Sequence, residues 1–317
     1  MKYALRNINT SRQGSIAVLL SALMWGTTGA AASFISDVNP MAVGAFSMGI
    51  GGILLALTAR KKLIEECLLL SHSWRIILIG SLSLTVYPQA FYSSMHFAGV
   101  AVGNVISIAS APFMTVIIER LLLNKKQITF RWLFSAVLGA SGIVLLTLSD
   151  AYSTQAIIED SSRQIGVLLG LLAALTYAGY TCAAKKLMEQ GAHSTSAMGS
   201  IFCCASLILL PTLLFTGEHL FSSIENTVAV WYLALVPMFL GYLCFGFGLR
   251  FIPASKATLL TLFEPVVAVC LAVIIVKEVI ALTGWFGMGL IMVCLIIQAS
   301  EKDETRRGLL KEYSKAG

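Results

Sequence analysis

ASKATLLTLFEPVVAVCLAVIIV, the stretch from Ala254 to Val276, is a 23-residue apolar run with a carboxylate, Glu264, ten residues in and a proline, Pro265, directly after it. At about 1.5 Å per helical residue it crosses roughly 30 Å of hydrocarbon. It lacks the period-two alternation of a barrel strand, and an unpaired amide in hydrocarbon costs several kcal/mol, so an α-helix is the conformation left to it. Upstream, VAVGNVISIASAPFMTVIIERLL (Val100 to Leu122) has the same design. At an offset of 153, Ala101, Pro112 and Trp132 fall on Ala254, Pro265 and Trp285. At 152, Gly14 falls on Gly166, and Ala22, Gly26 and Ala30 fall on Ala174, Ala178 and Cys182. A proline and a tryptophan shared in one register point to a duplicated chain.

Working outward, the same window length predicts ten spans in two sets of five. The first set is Ser15–Ile35, Pro40–Ala59, Trp74–Ser94, Val100–Leu122 and Phe130–Ser149; the second is Gln164–Lys185, Thr195–Phe215, Ala229–Leu249, Ala254–Val276 and Leu282–Ser300. Composition agrees: 57% of the 317 residues are apolar and 12% charged, with a mean hydropathy of +0.83. A water-soluble enzyme or a disordered scaffold of that composition is excluded, because the polar residues are too few to cover the apolar ones.

The net charge of +6 would raise nucleic acid as a partner in a soluble domain, but the positions of the charges answer otherwise. Alternate loops collect 20 of the 22 Lys and Arg, from Lys2, Arg6 and Arg12 through Lys185, Lys186, Arg250 and Lys256 to the C-terminal tail; Arg163 and Lys277 lie opposite. Positive loops stay cytoplasmic. The expectation is an all-α polytopic membrane protein of the cell membrane with ten transmembrane helices and both termini cytoplasmic. Five spans is an odd number, so the two repeats are inverted. The boundaries are a first repeat over 15–149, an extracytoplasmic linker over 150–163, a second repeat over 164–300 and a tail over 301–317. A cleaved leader at Ala30-Ala31-Ala32 would remove the first helix and break the charge pattern.

Short strings then carry a family resemblance. Tyr92 to Leu123, with Ala101, Asn104 and Ala111-Pro112, and Phe245 to Glu278, with Pro253-Ala254-Ser255 and Glu264-Pro265, resemble EamA repeats. So do Ala22-Leu23-Met24-Trp25-Gly26 and Ala174-Leu175-Thr176-Tyr177-Ala178. The chain resembles ten-helix members of the drug/metabolite transporter superfamily over roughly residues 15 to 300. The resemblance implies a passive or proton-coupled carrier, commonly an exporter, for amino acids or related metabolites. Ala111 stands where the second half has Glu264, and Lys125 where it has Glu278, so the two halves do not carry equivalent carboxylates.

Glu264 leads the site residues, since an acidic residue at a helix centre costs about 2.5 to 3.5 kcal/mol and faces a partner or a wet cavity. Its readings are proton coupling or substrate contact on one side, and a structural hydrogen bond on the other. Pro265 cannot donate to the carbonyl near Thr261, which is expected to stay free. Trp25, Tyr87, Gln89, Tyr92, Tyr177, Tyr180 and Thr181, with Thr261, form an aromatic and polar set expected to line a cavity for a small amphiphile. Lys256 and Asn104 are secondary positions; for Lys256 the competing reading is snorkelling to the interface. Glu119 and Arg120 read as interfacial anchors. Trp74, Trp132, Trp231 and Trp285, at helix starts, read as an aromatic belt.

Small-residue stripes on the first helix of each half read as packing surfaces, and Gly284, Gly287 and Gly289 as a surface for neighbouring helices or a homodimer partner. No metal or cofactor is expected: the four histidines show no paired spacing, the seven cysteines show no C-x-x-C, and there is no phosphate-binding glycine loop. The expected activity is non-enzymatic movement of a small-molecule metabolite across the lipid bilayer. A passive channel is the alternative, and the duplication favours the carrier.

Overall fold

The computed structural model describes residues 2–98, 100–123, 129–151, 160–276 and 281–299, and throughout these the regular structure is helical. The elements are α1 (Lys2–Gly26), α2 (Thr28–Ala32), α3 (Pro40–Glu65), α4 (Cys67–His72), α5 (Trp74–Ala98), α6 (Val100–Leu123) and α7 (Phe130–Ala151). The second half has α8 (Asp160–Glu189), α9 (Ser194–Thr216), α10 (Ile224–Leu233), α11 (Tyr242–Phe251), α12 (Ala254–Leu260), α13 (Phe263–Leu271) and α14 (Leu282–Ala299). Two π-helical pieces, Ala234–Gly241 and Ala272–Val276, extend α10 into α11 and continue α13. Most of the expected linker and all of the C-terminal tail lie outside the described residues.

Among the described residues, eight segments are long and apolar enough to cross a membrane: Thr10–Ala32, Pro40–Glu65, Trp74–Ala98, Arg163–Glu189, Ser194–Thr216, Ile224–Phe251, Ala254–Ile275 and Leu282–Ala299. The other two expected spans coincide with α6 and α7. Local chemistry sets several starts. The Asn39 side chain accepts from Met41 N at 2.9 Å with Pro40 at the first helical position, and Ser223 accepts from Asn226 N at 3.0 Å.

The packing pairs α1 with α11, α5 with α8, α3 with α9 and α7 with α14, while α8 also packs on α6 and α1 on α12 and α13. Exchanging the two halves maps this pattern onto itself. The glycines make the exchange concrete. A Cβ on Gly14 would sit 3.0 Å from Gly248 O, at the end of α11, and one on Gly166 would sit 2.4 Å from Ala98 N, at the end of α5. Each half thus presses the glycine of its first helix against the other half. Gly142 on α7 and Gly287 on α14 meet so closely that a Cβ on either would lie 2.6 Å from the other's carbonyl oxygen. Small residues permit such backbone approach, which in lipid stands in for hydrophobic drive. Gly287 is therefore used inside the chain, whereas Gly289 faces open space. Side chains such as Leu214 (84% exposed) and Phe215 (88%) present the apolar outer surface that lipid covers.

Candidate functional site

The site is built around a break in the stretch Ala254–Val276. Pro265 has no N–H to give to the carbonyl one turn earlier, that of Thr261, and its ring crowds that position. The helix accordingly ends at Leu260 and restarts at Phe263. Thr261 N still reaches Ala257 O at 3.1 Å, Leu262 N turns back to Leu259 O at 3.3 Å, and Glu264 N donates to Thr261 O at 2.9 Å. The carbonyl expected to be free is therefore taken by the glutamate's own amide; a tightened turn absorbs what the proline removes. The Thr261 hydroxyl donates to Thr258 O at 2.8 Å and lies 3.1 Å from the Tyr177 hydroxyl. With its one proton spent, Thr261 accepts and Tyr177 donates.

This turn presents Glu264 to an aromatic cluster drawn from four other helices. The Tyr87 (α5) and Tyr177 (α8) ring centroids are 5.4 Å apart, Tyr177 and Tyr180 5.3 Å, Tyr180 and Tyr242 (α11) 6.2 Å, and Tyr242 and Trp25 (α1) 4.8 Å. Two contacts anchor the turn to its neighbours: the Tyr177–Thr261 hydrogen bond on α8, and α1, where a Cβ on Gly26 would lie 2.8 Å from Glu264 O. No cation pairs with it among the described residues. Glu264 is half-buried amid these elements. Trp25 is 5% exposed and its Nε1 donates to Pro237 O at 2.9 Å. That carbonyl lies in the π-helical piece Ala234–Gly241, so local unwinding fixes the indole.

Several expected site residues fall elsewhere. Thr181 is buried, but its hydroxyl returns to Tyr177 O at 2.9 Å, within its own helix. Gln89 is half-buried on α5, and Tyr92 is 41% exposed with its ring edge-on to Phe91. Asn104 lies on α6, with its side chain outside the described residues. Lys256 is buried at 6% exposure and engaged by the protein, so it does not reach an open interface. Trp132 is not a belt residue: it is 6% exposed and its Nε1 donates to Ser255 O at 3.3 Å. Trp74, Trp231 and Trp285 are 55%, 41% and 50% exposed, as a belt requires. Tyr242 was absent from the sequence reading, although the 153-residue offset that aligns the prolines sets it opposite Gln89.

Two buried charges fix the segment that leads into the break. Lys185 of α8 donates through Nζ to Leu249 O at 2.8 Å and Ile252 O at 2.9 Å, capping the end of α11. Glu119 of α6 accepts from Ala254 N at 2.8 Å, at the start of α12. Glu119 is 4% exposed, so it is a helix cap and not an interfacial anchor. A cation at a helix C-terminus and an anion at a helix N-terminus each complement the local dipole.

Removing a cage wall should cost affinity rather than folding. Trp25→Ala, Tyr87→Ala and Tyr177→Ala are each expected to weaken substrate binding by roughly tenfold or more, on the scale of a lost aromatic contact. Purified yield should fall far less. Unchanged affinity in all three variants would return these rings to a packing role.

The profile of the EamA-like transporter family matches residues 12–148 and 164–298. Among relatives, a Bacillus subtilis protein named uncharacterized transporter YwfM is 30% identical over 287 residues, covering 89% of this chain and 92% of that one. The uncharacterized inner membrane transporter YicL of Salmonella typhimurium is 21% identical over 92% of this chain and 96% of its own length. Protein PecM of Dickeya dadantii is 25% identical over 71% of this chain and 73% of its own. A solved crystal structure superposes with a TM-score of 0.74 at 18% identity, covering 90% of this chain and 95% of that one, and so shares the fold. The duplicated helical architecture and the two profile matches together show that this multi-pass membrane protein belongs to the EamA-like transporter family.

Proposed function

We propose that the protein is a secondary transporter that exports amino acids or related small metabolites by alternating access, with Glu264 as the proton-coupling group. Ten helices cross the membrane as two inverted five-helix repeats, with both termini in the cytoplasm. One observation carries the reading most: a carboxylate without a salt bridge among the described residues, placed at a helix break three residues after the Thr261 that hydrogen-bonds Tyr177, a member of a ring cluster drawn from α1, α5, α8 and α11. Broken helices at the junction of two repeats are where such carriers hold substrate. The family and the names of the relatives agree with transport.

The test is counterflow. Proteoliposomes loaded with a labelled amino-acid mixture should release label faster when unlabelled mixture is added outside, because a carrier returns faster when loaded. Release that ignores the outside compartment would favour a channel. A second measurement addresses the orientation: reporter fusions within 150–163 and at the C-terminal tail should report opposite sides of the membrane, as the 20-to-2 division of Lys and Arg requires. Both reporters on one side would remove the inverted repeat.

A further inference from the structure

We propose that the groove between α2, α10 and α13 holds one phospholipid with a primary ammonium head, a phosphatidylethanolamine, its acyl chain lying in the groove and its ammonium at Glu225. The site depends on the membrane-embedded fold and on neither the substrate nor the coupling reading.

The groove measures about 610 Å³, inside the roughly 300 to 1,000 Å³ usual for ligand pockets. Its walls are helix stripes. Ile224, Val228 and Tyr232 line it four residues apart along α10, and Leu271 and Ile275 do so along α13 and its π-helical continuation. The third wall is α2, where Ala30 and Ala31 stand in the lining. Larger side chains there would fill the space, so the alanine run that imitates a leader cleavage site keeps the groove open.

Three features select the occupant. The first is the surroundings: Phe34, Ile224, Val228 and Ile275 are exposed on the apolar outer surface, so the groove opens to hydrocarbon. The second is length. From Ile224 to Tyr232, α10 rises about 12 Å at 1.5 Å per residue, most of the roughly 15 Å of hydrocarbon in one leaflet. A methylene chain fits that course and supplies the packing contacts that an unfilled groove lacks. The third is the placing of polar groups. At one end the Tyr232 hydroxyl donates to Thr27 Oγ1 at 2.9 Å, which itself donates to Met24 O at 2.7 Å, so these hydroxyls are satisfied within the protein. The charged lining residue, Glu225, lies at the other end, exposed in the first turn of α10. A carboxylate at the mouth with apolar walls beyond it complements a cationic head on an apolar tail, and repels a lipid of net negative charge.

The position gives the site its consequence. The α2 wall belongs to the first half of the chain and the α10 and α13 walls to the second. Thr27 of the lining follows directly on Gly26, where a Cβ would lie 2.8 Å from Glu264 O. A lipid seated here bridges the two halves beside the broken helix.

The experiment uses the full-length protein, stripped of lipid in detergent and mixed with equal small excesses of dioleoyl-phosphatidylethanolamine and dioleoyl-phosphatidylglycerol, identical chains on different heads. Native mass spectrometry counts the lipid retained, and thermal midpoints report its effect on the fold. Wild type should retain one phosphatidylethanolamine, preferred roughly three- to fivefold over phosphatidylglycerol, the scale of one exposed ion pair. Its midpoint should rise more with the preferred lipid. Glu225→Gln should level the two lipids, and Glu225→Lys should reverse their order. Ala31→Phe, which adds a ring to the α2 wall, should retain neither, with an unchanged size-exclusion profile. The Glu225 variants, at an exposed position, decide the matter if Ala31→Phe does not fold. Lys277, two residues past Ile275, lies outside the described residues, and Lys277→Gln should leave the preference in place.

Loss of both lipids from wild type overturns the proposal, as does equal retention of the two or a preference for phosphatidylglycerol. Retention by folded Ala31→Phe at the wild-type level places the lipid elsewhere and overturns it too. A preference that follows Lys277→Gln and ignores Glu225→Gln would mean that a phosphate is held and not an ammonium.

Discussion

Replacing Glu264 by Gln is expected to abolish accumulation driven by an imposed pH gradient while exchange across the membrane persists. The amide keeps the shape and much of the hydrogen bonding of the carboxylate but fixes its charge at zero, so it can neither take up nor release a proton. One pH unit is worth about 1.4 kcal/mol per proton, so a one-for-one coupled carrier should concentrate its substrate up to about tenfold under that gradient. The variant should reach no concentration ratio at all. Among the described residues no salt bridge ties down Glu264. Reciprocal linkage then requires substrate affinity to depend on pH in the wild type and not in the variant. Accumulation by Glu264→Gln equal to that of wild type would remove this residue from coupling. A wild type indifferent to the gradient would mean a facilitator or another coupling ion.

The parts of this site that could be read from the chain are those that depend on position along one helix. Trp25 and Tyr177 stand out because a 152-residue shift superposes them, and Glu264 because a carboxylate ten residues into an apolar span has no innocent explanation. What depends on which helix lies opposite could not be read. Trp132 and Trp285 occupy equivalent places in the two repeats, yet one is 6% exposed against Ser255 and the other 50% exposed to the surroundings. Lys185 counts toward a cytoplasmic loop when Lys and Arg are sorted by side, and Glu119 reads as an interfacial anchor. Sorting assigns a face of the membrane but no partner, and both side chains fold inward to helix ends from other parts of the chain. The proline at 265 announced a break, but how the freed carbonyl of Thr261 would be satisfied depended on a turn one residue tighter than an α-helix. The π-helical piece around Pro237, whose carbonyl holds the Trp25 indole, had no periodic signature in so uniformly apolar a run.

Lys185→Met should be the most damaging single change outside the cage. The connection between α11 and α12 is two residues, Ile252 and Pro253, and Pro253 carries no N–H to tie itself down. Lys185 holds one end through the carbonyls of Leu249 and Ile252, and Glu119 holds the other through Ala254 N. Hydrogen bonds to a charged group contribute about 1.5 to 3 kcal/mol each, and methionine fills the volume while leaving both carbonyls without a donor in a buried site. A loss of roughly 3 kcal/mol is expected, read as a lowered thermal midpoint in detergent. Glu119→Gln should cost less, roughly 1 kcal/mol, because the amide oxygen still accepts from Ala254 while the favourable charge at the helix start is lost. The double variant should lose less than the sum, since both groups restrain one short connection. Additive losses would show that the two act independently. The functional consequence follows from what the connection carries: α12 leads directly into Thr261 and Glu264, and α8 bears Tyr177 two turns before Lys185. Loosening the clamp frees the carboxylate and its tyrosine to move apart. Affinity for substrate should therefore fall in Lys185→Met at temperatures where the protein is still folded, and an affinity equal to wild type would confine the clamp to stability.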